Sequence, residues 1–273
     1  MLLQHEEARR DEKYRSCLMV CLSLVVLTLS GNPAYAENVT TLVLNDTNDP
    51  PYTTVAGDGF VDVIVGEAFR RAGFRLKLIK LPPERGLVNA NAGIEDGDLT
   101  RIAGLEKNYP NLVRVPEKLM DWHFVAFTRQ AKPAEASWNS LEQLSVGHIK
   151  GWKIFEQNLR PSTQITTTDN PGQLFAMLDK DRIDVALYER WLGYALAKQM
   201  GMQKMRVVEP PLAVREMYIY LHKRHADKIP AIAAALRAIK AEGMYSRVCR
   251  EKFAPLGASN AQCEVKLAPR EGR

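Results

Sequence analysis

Strand-like and helix-like segments alternate along this 273-residue chain from about residue 39 onward. The candidate strands are short apolar or β-branched runs, and the candidate helices repeat apolar residues every three to four positions. The predicted strands cover residues 39–44, 74–80, 97–103, 122–128, 144–149, 164–168, 183–187, 205–208 and 217–221. The predicted helices cover residues 60–72, 82–92, 137–144, 152–159, 170–178, 190–199 and 226–241. This alternation predicts an α/β fold with mainly parallel sheets.

Two breaks in this pattern indicate the domain organisation. Residues 129–136 are polar and proline-containing, and residues 209–212 read Glu-Pro-Pro-Leu. The segment between the breaks has its own alternation of strands and helices, which is typical of an inserted domain. We therefore predict one lobe from residues 37–128 and 213–273, and a second lobe from residues 129–212. A cleft between two domains is a preferred place for a ligand.

The N-terminal region has the layout of a secretory signal peptide. Residues 17–30 form an apolar run without a charge, preceded by Lys13 and Arg15 and followed by Ala34-Tyr35-Ala36. The run is too short for a membrane-spanning helix, which needs about 20 residues. We predict cleavage after Ala36, a periplasmic mature protein and no stable membrane insertion after cleavage. A buried N-terminal helix is the alternative.

Composition and motifs exclude several classes of function. The net charge of +5 is scattered along the chain, and no basic cluster is interleaved with aromatic residues, so nucleic acid is not an expected partner. Neither a phosphate-binding loop nor a serine-hydrolase or zinc-protease motif occurs. The pair His222-x-x-His225 has no supporting ligand at a metal-binding spacing. No metal and no cofactor are therefore expected.

The cysteines predict one disulfide. Removal of the signal peptide leaves Cys249 and Cys263, which lie close together near the C-terminus. In an oxidising compartment such a pair indicates a disulfide. Two buried free thiols are the alternative.

Several motifs resemble the bacterial extracellular solute-binding protein family 3. They are Asn45-Asp46-x-Asn48-Asp49-Pro50-Pro51-Tyr52-Thr53, Gly57-Asp58-Gly59-Phe60-Val61-Asp62, the strand at residues 181–187, and the strand and helix at residues 218–243. The resemblance extends over residues 39–253. It implies a type II periplasmic-binding fold, in which two α/β lobes close on a small ligand, often an amino acid, and deliver it to an ABC transporter.

An amino-acid ligand needs a partner for each of its charges, because burying an unpaired charge is costly. The family's Thr-x-x-Arg turn, which binds the carboxylate, is replaced here by Leu105-Glu106-Lys107-Asn108. We predict that Arg101, at the end of a strand, binds the carboxylate instead. A salt bridge from Arg101 to Asp98 or Glu84 is the alternative.

The resemblance implies four more ligand contacts. Glu189 stands where the family places its ammonium-binding acid, although a helix cap is the alternative. Gly151 corresponds to an anion-contacting turn, and Trp152 replaces the usual hydroxyl residue there. Tyr52 corresponds to an aromatic residue that flanks the ligand. Packing in the core is the alternative for Tyr52 and Trp152. Trp122 and His123 are further candidates for the cleft.

The leading functional prediction is a periplasmic protein that binds a small polar ligand for an ABC transporter, with the permease as a possible partner and without enzymatic activity. One alternative is a periplasmic dehydratase of cyclohexadienyl acids, in which Glu189 serves as general acid. Another is a ligand-sensing protein that does not take part in transport.

Overall fold

The computed structural model describes residues 39–131 and 133–264. The strands are β1 (Thr41–Asn45), β2 (Arg75–Ile79), β3 (Gly97–Ile102), β4 (Leu112–Arg114), β5 (Met120–Thr128), β6 (Ser145–Ile149), β7 (Gln164–Thr168), β8 (Val185–Glu189) and β9 (Arg206–His222). The helices are α1 (Phe60–Arg71), α2 (Pro83–Ala92), α3 (Lys153–Glu156), α4 (Pro171–Asp179), α5 (Arg190–Gln199), α6 (Ile229–Ala241) and α7 (Met244–Phe253). The predicted alternation of strands and helices is confirmed. The predicted signal peptide lies outside the described residues.

The strands of the described chain form one continuous sheet in the order β2-β1-β3-β9-β5-β8-β6-β7, with β4 paired to β9. In one half of the sheet, β1 lies parallel between β2 and β3. In the other half, β6 lies parallel between β7 and β8. The antiparallel strands β5 and β9 pair with each other and with both halves. The chain therefore passes between two α/β halves on β5 and β9.

Strand β9 is longer than the sequence predicts. Two short strands are expected on either side of Glu-Pro-Pro-Leu at residues 209–212, but β9 continues through them. Its pairing with β5 changes register on the way, because Ala126 faces Val208 whereas Phe124 faces Ala213. Proline has no N–H to donate to a ladder and is tolerated at such irregularities. The prediction of a break between two separate strands is wrong here, because the irregularity interrupts the register without ending the strand.

Helix α1 fixes the turn that carries Tyr52. The carboxylate of Asp62 accepts hydrogen bonds of 2.9 Å from the backbone N–H groups of Gly59, at the helix N-terminus, and of Thr54, in the preceding loop. A Cβ atom on Gly59 would lie 2.4 Å from the carbonyl oxygen of Tyr52. Only glycine permits this approach of the two backbones. The apolar face predicted for the helix is buried and consists of Val61, Ile64, Val65, Ala68 and Phe69.

Helix α7, which the sequence analysis does not predict, contributes an aromatic residue next to that turn. The ring centroid of Phe253 lies 5.4 Å from that of Tyr52 and 5.3 Å from that of Trp191. On the same helix, Cys249 is bonded to Cys263, which confirms the predicted disulfide. The disulfide ties the segment after α7 to the helix that holds Phe253.

Reduction of the disulfide is expected to lower the free energy of unfolding by about 2 to 3 kcal/mol, because the bond closes a short loop and restricts the unfolded chain. Its two cysteines are 14 residues apart. Urea unfolding with and without reductant measures the effect. A variant with both Cys249→Ala and Cys263→Ala is the control, since reductant should leave its stability unchanged. Equal stability of the reduced and oxidised wild-type protein would contradict the prediction.

From Thr40 onward the described residues belong to one compact unit. One hydrophobic cluster extends through both halves of the sheet, from Leu42 and Phe60 to Phe155 and Leu187. Within residues 39–131 and 133–264, no helix has the length and apolar character that crossing a membrane requires.

Candidate functional site

A hydrogen bond joins the two halves of the sheet at a buried position. The hydroxyl group of Tyr52, in the turn after β1, donates to Oε1 of Glu189 at 3.1 Å. Glu189 ends β8 and precedes α5. The side chains are 1% and 0% exposed, respectively. Two residues that the sequence resemblance selected separately are therefore in direct contact.

The carboxyl group of Glu189 also caps helix α5. Its Oε2 atom accepts hydrogen bonds from the backbone N–H groups of Trp191 and Leu192, at 2.8 and 2.9 Å. Burial disfavours the ionised form and raises the pKa of Glu189 to about 7, although these hydrogen bonds oppose the rise. Glu189 is therefore the helix cap that the alternative interpretation describes, but it is buried. That Glu189 binds the ammonium group of a ligand stays a prediction.

Four aromatic rings form a row across the boundary between the halves. The ring centroids of Tyr52 and Trp122 are 6.0 Å apart, those of Trp122 and Trp152 are 6.2 Å apart, and those of Trp152 and Tyr188 are 4.7 Å apart. The planes in each pair are within 28° of parallel. Phe124 meets Trp122 and Trp152 edge-on at 6.0 and 5.9 Å. We call the four stacked residues, without Phe124, the aromatic row.

The loop between β6 and α3 brings Trp152 into the aromatic row. Gly151 has a φ of +85°, a conformation that other residues rarely adopt, and Trp152 follows it at the start of the one-turn helix α3. The backbone N–H of Gly151 donates to Oε1 of Glu156 at 2.7 Å. Trp152 therefore belongs to the same site as Tyr52 and Glu189, whereas the N–H of Gly151 has a partner within its own loop.

The guanidinium group of Arg101 is engaged by a buried acid. Its Nε and Nη2 atoms donate to the carboxylate of Asp98 at 2.6 and 3.1 Å, and Nη2 also donates to the carbonyl oxygen of Pro83 at 3.1 Å. Burial raises the pKa of Asp98, and the charge of Arg101 opposes that rise. Of the two salt bridges considered as alternatives from the sequence, the one from Arg101 to Asp98 is present. That Arg101 also binds the carboxylate of a ligand stays a prediction.

A buried polar cluster, which the sequence analysis does not identify as part of the site, lies between the carboxyl end of β1 and strand β3. The side-chain amide of Asn48 donates to Oγ1 of Thr100 at 2.8 Å, and that of Asn45 donates to Oδ2 of Asp98 at 3.1 Å. Burial raises the pKa of Asp46 in this cluster. Thr100 has a φ of +58°, which is strained for a β-branched residue. The run Asn45-Asp46-x-Asn48-Asp49 directly after an apolar strand is the signal that could have identified it.

A cavity of about 650 Å³ lies beside one end of the aromatic row. Tyr188 lines it together with the turn at Pro50 and Pro51, Leu192 of α5 and Pro171 at the start of α4. The cavity therefore opens between the turn that carries Tyr52 and two helices of the other half of the sheet.

Half-buried His123, a further candidate for the cleft, follows Trp122 on β5, and burial lowers the pKa of its imidazole.

Comparison with known proteins identifies the fold. No family model matches the sequence. An uncharacterized protein of Shewanella oneidensis is 24% identical over 239 residues, which span 84% of this chain and 89% of that protein. A crystal structure of a mutant of ArgBP from T. maritima matches with a TM-score of 0.64 and 18% identity, over 78% of this chain and 95% of that chain.

Two further structures extend the comparison. The GluR0 ligand-binding core in complex with L-glutamate matches with a TM-score of 0.68 and 10% identity, over 79% of this chain and 99% of that one. A histidine kinase sensor domain with similarity to periplasmic binding proteins matches with a TM-score of 0.64 and 14% identity, over 79% and 96% of the two chains.

This chain has the periplasmic-binding-protein fold. The predicted fold class, two α/β lobes of the type II arrangement, is therefore confirmed. The solved structures with this fold include substrate-binding proteins of amino-acid ABC transporters, the class that the sequence motifs resemble. Because identities are below 25%, these structures establish the fold, and the function has to be inferred from the site.

Proposed function

We propose that this protein captures a small polar solute, an amino acid or a related molecule, by closing its two lobes around it in the periplasm. The observation that carries the proposal is the buried hydrogen bond between Tyr52 and Glu189, which links the two halves of the sheet at the aromatic row. We assign residues 37–128 and 213–273 to one lobe and residues 129–212 to the other. In this assignment, β5 and β9 act as the hinge between the lobes.

The proposed contacts pair both charges of an amino acid. Arg101 receives the carboxylate through Nη1, the guanidinium atom that takes no part in its contacts with Asp98 and Pro83. Glu189 receives the ammonium group, which replaces the Tyr52 hydroxyl as donor to Oε1. Binding of a cation there favours the ionised form of Glu189 and so lowers its pKa.

The remaining predicted residues complete the proposed site. Trp152 faces the ligand with its ring, and Tyr52 lines the site next to Glu189, where it stacks on Trp122. The backbone N–H of Gly151 becomes available to an anionic group when Glu156 moves aside. The free energy of ligand binding then includes the free energy of closing the lobes.

A ligand present at 100 times its Kd is expected to stabilise the protein by about 2.7 kcal/mol, because it binds the folded chain and not the unfolded one. The measurement is a thermal-shift screen of the purified mature protein against amino acids, polyamines, opines and small carboxylates, with titration calorimetry of each hit. Calorimetric titration of each hit into the protein unfolded in urea is the control, because a ligand of the folded site should not bind there. Absence of any shift with amino acids and related molecules would overturn the proposed ligand class.

A sensory role is a second candidate, because one solved structure with this fold is the sensor domain of a histidine kinase. The two roles predict different phenotypes in cells that lack the protein. Loss of uptake of the bound solute supports delivery to an ABC transporter permease. Normal uptake combined with a lost response to the solute supports sensing instead.

We favour binding over dehydratase catalysis, because the solved structures with this fold that are named above include substrate-binding proteins of amino-acid ABC transporters. In a dehydratase, Glu189 would have to give its proton to the leaving group. We expect no turnover of prephenate or arogenate by the purified protein. Measurable turnover that Glu189→Gln abolishes would favour the enzymatic alternative.

A further inference from the structure

The aromatic row consists of two stacked pairs that face each other across the proposed lobe boundary. Tyr52 backs Trp122 on one side, and Tyr188 backs Trp152 on the other. The facing rings, Trp122 and Trp152, are 6.2 Å apart at their centroids and 23° from parallel, and they belong to different proposed lobes. Opening of the lobes would widen the space between these two rings while each pair stays intact.

Resting on the proposed function, we propose that the ligand of this site carries a flat aromatic ring, which enters between Trp122 and Trp152. The ring would then stack on one tryptophan from each lobe, and lobe closure would tighten both contacts together. The proposed ligand is then a small polar solute that contains a planar π system.

The width of the space favours a flat group. A ring inserted between two parallel rings needs about 7 Å between their planes, twice the contact distance of roughly 3.5 Å between carbon atoms. The planes of Trp122 and Trp152 are at most as far apart as their centroids, 6.2 Å, so the two rings must separate further before a flat group can enter. A saturated ring or a trimethylammonium group is thicker than an aromatic ring and needs a wider opening.

The floor of the space is also apolar. Phe124 is 5% exposed and meets both tryptophans edge-on, at interplanar angles of 68° and 87°. Phe155 packs edge-on against Phe124 from below, at a centroid distance of 5.7 Å. Walls and floor are thus aromatic, and an anionic head group would lose its hydration there without gaining a counter-ion.

One hydrogen-bond donor at the walls has no acceptor among the described residues. This donor is the Nε1 atom of Trp122, which is buried. A buried N–H without an acceptor is costly, and a ligand that supplies an acceptor removes that cost. The expected ligand therefore carries an oxygen or nitrogen acceptor next to its aromatic ring.

Matched ligand pairs test the inference by titration calorimetry and tryptophan fluorescence on the purified mature protein. The pairs are phenylalanine with cyclohexylalanine, and benzoate with cyclohexanecarboxylate; choline is added as a cation without an aromatic ring. Stacking on two tryptophans predicts that the aromatic member of at least one pair binds about tenfold or more tightly than its saturated partner. Its binding should also change the tryptophan emission.

Three variants locate the effect. Trp122→Leu and Trp152→Leu should each abolish the preference for the aromatic member, whereas Trp152→Phe should retain part of it. Trp138→Leu is the matched control, because half-buried Trp138 packs on Phe155 outside the space between the walls. The melting temperature and circular dichroism of every variant establish that it is folded before its affinity is compared.

The other outcomes overturn the inference, and they can be told apart from failure of the proposed function. Equal affinity within both pairs, or tighter binding of the saturated member or of choline, refutes the aromatic ligand while a solute-binding function stands. Absence of binding by all five compounds at millimolar concentration also refutes the aromatic ligand. The broader thermal-shift screen then decides separately whether the protein binds solutes.

Discussion

Replacing Arg101 by alanine is expected to lower the free energy of unfolding by about 3 to 5 kcal/mol, because it leaves the carboxylate of Asp98 buried without its counter-ion. The side chain of Asp98 is 0% exposed, and that of Arg101 is 13% exposed. Burial already raises the pKa of Asp98 against the charge of Arg101. Without that charge the carboxyl group should take up a proton more readily, so the loss should be larger at pH 8 than at pH 5. Urea unfolding at both pH values measures it.

The chain offers a matched control for this variant. Arg70 also holds a carboxylate through Nε and Nη2, that of Glu67 at 2.7 and 2.9 Å, but its side chain is 72% exposed. Exposed pairs contribute about 0 to 1 kcal/mol, so Arg70→Ala should have little effect. Adding Asp98→Asn to Arg101→Ala should recover part of the loss, because no charge then stays buried. A similarly small effect for both arginine variants would contradict the burial argument.

The stability of the protein is expected to fall by about 3 kcal/mol as the pH rises from about 4.5 to about 7, through the titration of Glu189. Its pKa in the folded protein, about 7, lies above the ordinary value of 4.5. The folded chain therefore keeps a proton in this interval that the unfolded chain has released. The stabilising effect of this proton is complete below about pH 4.5 and is lost as the pH rises through 7. Each unit of pKa difference corresponds to about 1.4 kcal/mol.

Comparison of variants isolates this effect from other titrating groups. His123 acts in the opposite direction, since burial lowers its pKa and its protonation at low pH destabilises the fold. The measured quantity is therefore the difference between wild type and Glu189→Gln in urea unfolding at pH 5, 6.5 and 8. Glu156→Gln is the control and should keep the wild-type pH dependence. If Glu189→Gln had the wild-type dependence as well, the buried carboxyl group would not be its source.

Local patterns in the sequence were sufficient for most of the secondary structure. The apolar residues of α1 between Val61 and Phe69 recur with the period of a helix, and the residues predicted to face the core are the ones that are buried. The strand at residues 164–168 is confirmed as β7 with the predicted bounds. Helix α7 was missed because its polar residues hide a narrow apolar stripe, formed by Val248, Cys249 and Phe253. Its position depends on packing against Tyr52 and Trp191, which no local pattern reports.

The candidate site was predictable only in part, because its residues come from distant segments. The family resemblance selected Tyr52, Trp152 and Glu189, and these residues share one site in the structure. Trp122 was only one of several cleft candidates, and Tyr188 was not considered, although both belong to the aromatic row. Tyr52 and Glu189 are 137 positions apart, so neither spacing nor periodicity relates them. Contacts between residues that are distant in the chain thus decide which side chains a site residue is paired with.

The sequence by itself determined the α/β alternation, the pairing of Cys249 with Cys263 and the motifs typical of a solute-binding protein. These features depend on residues that are close in the chain, where hydrophobic period, turn chemistry and short loops act directly. Only the tertiary structure decided that Arg101 is held by Asp98, that Glu189 is a buried helix cap and that four rings form one row. Burial and partner choice set the charge state of such groups, and both arise only when distant strands pair and bring the two lobes together.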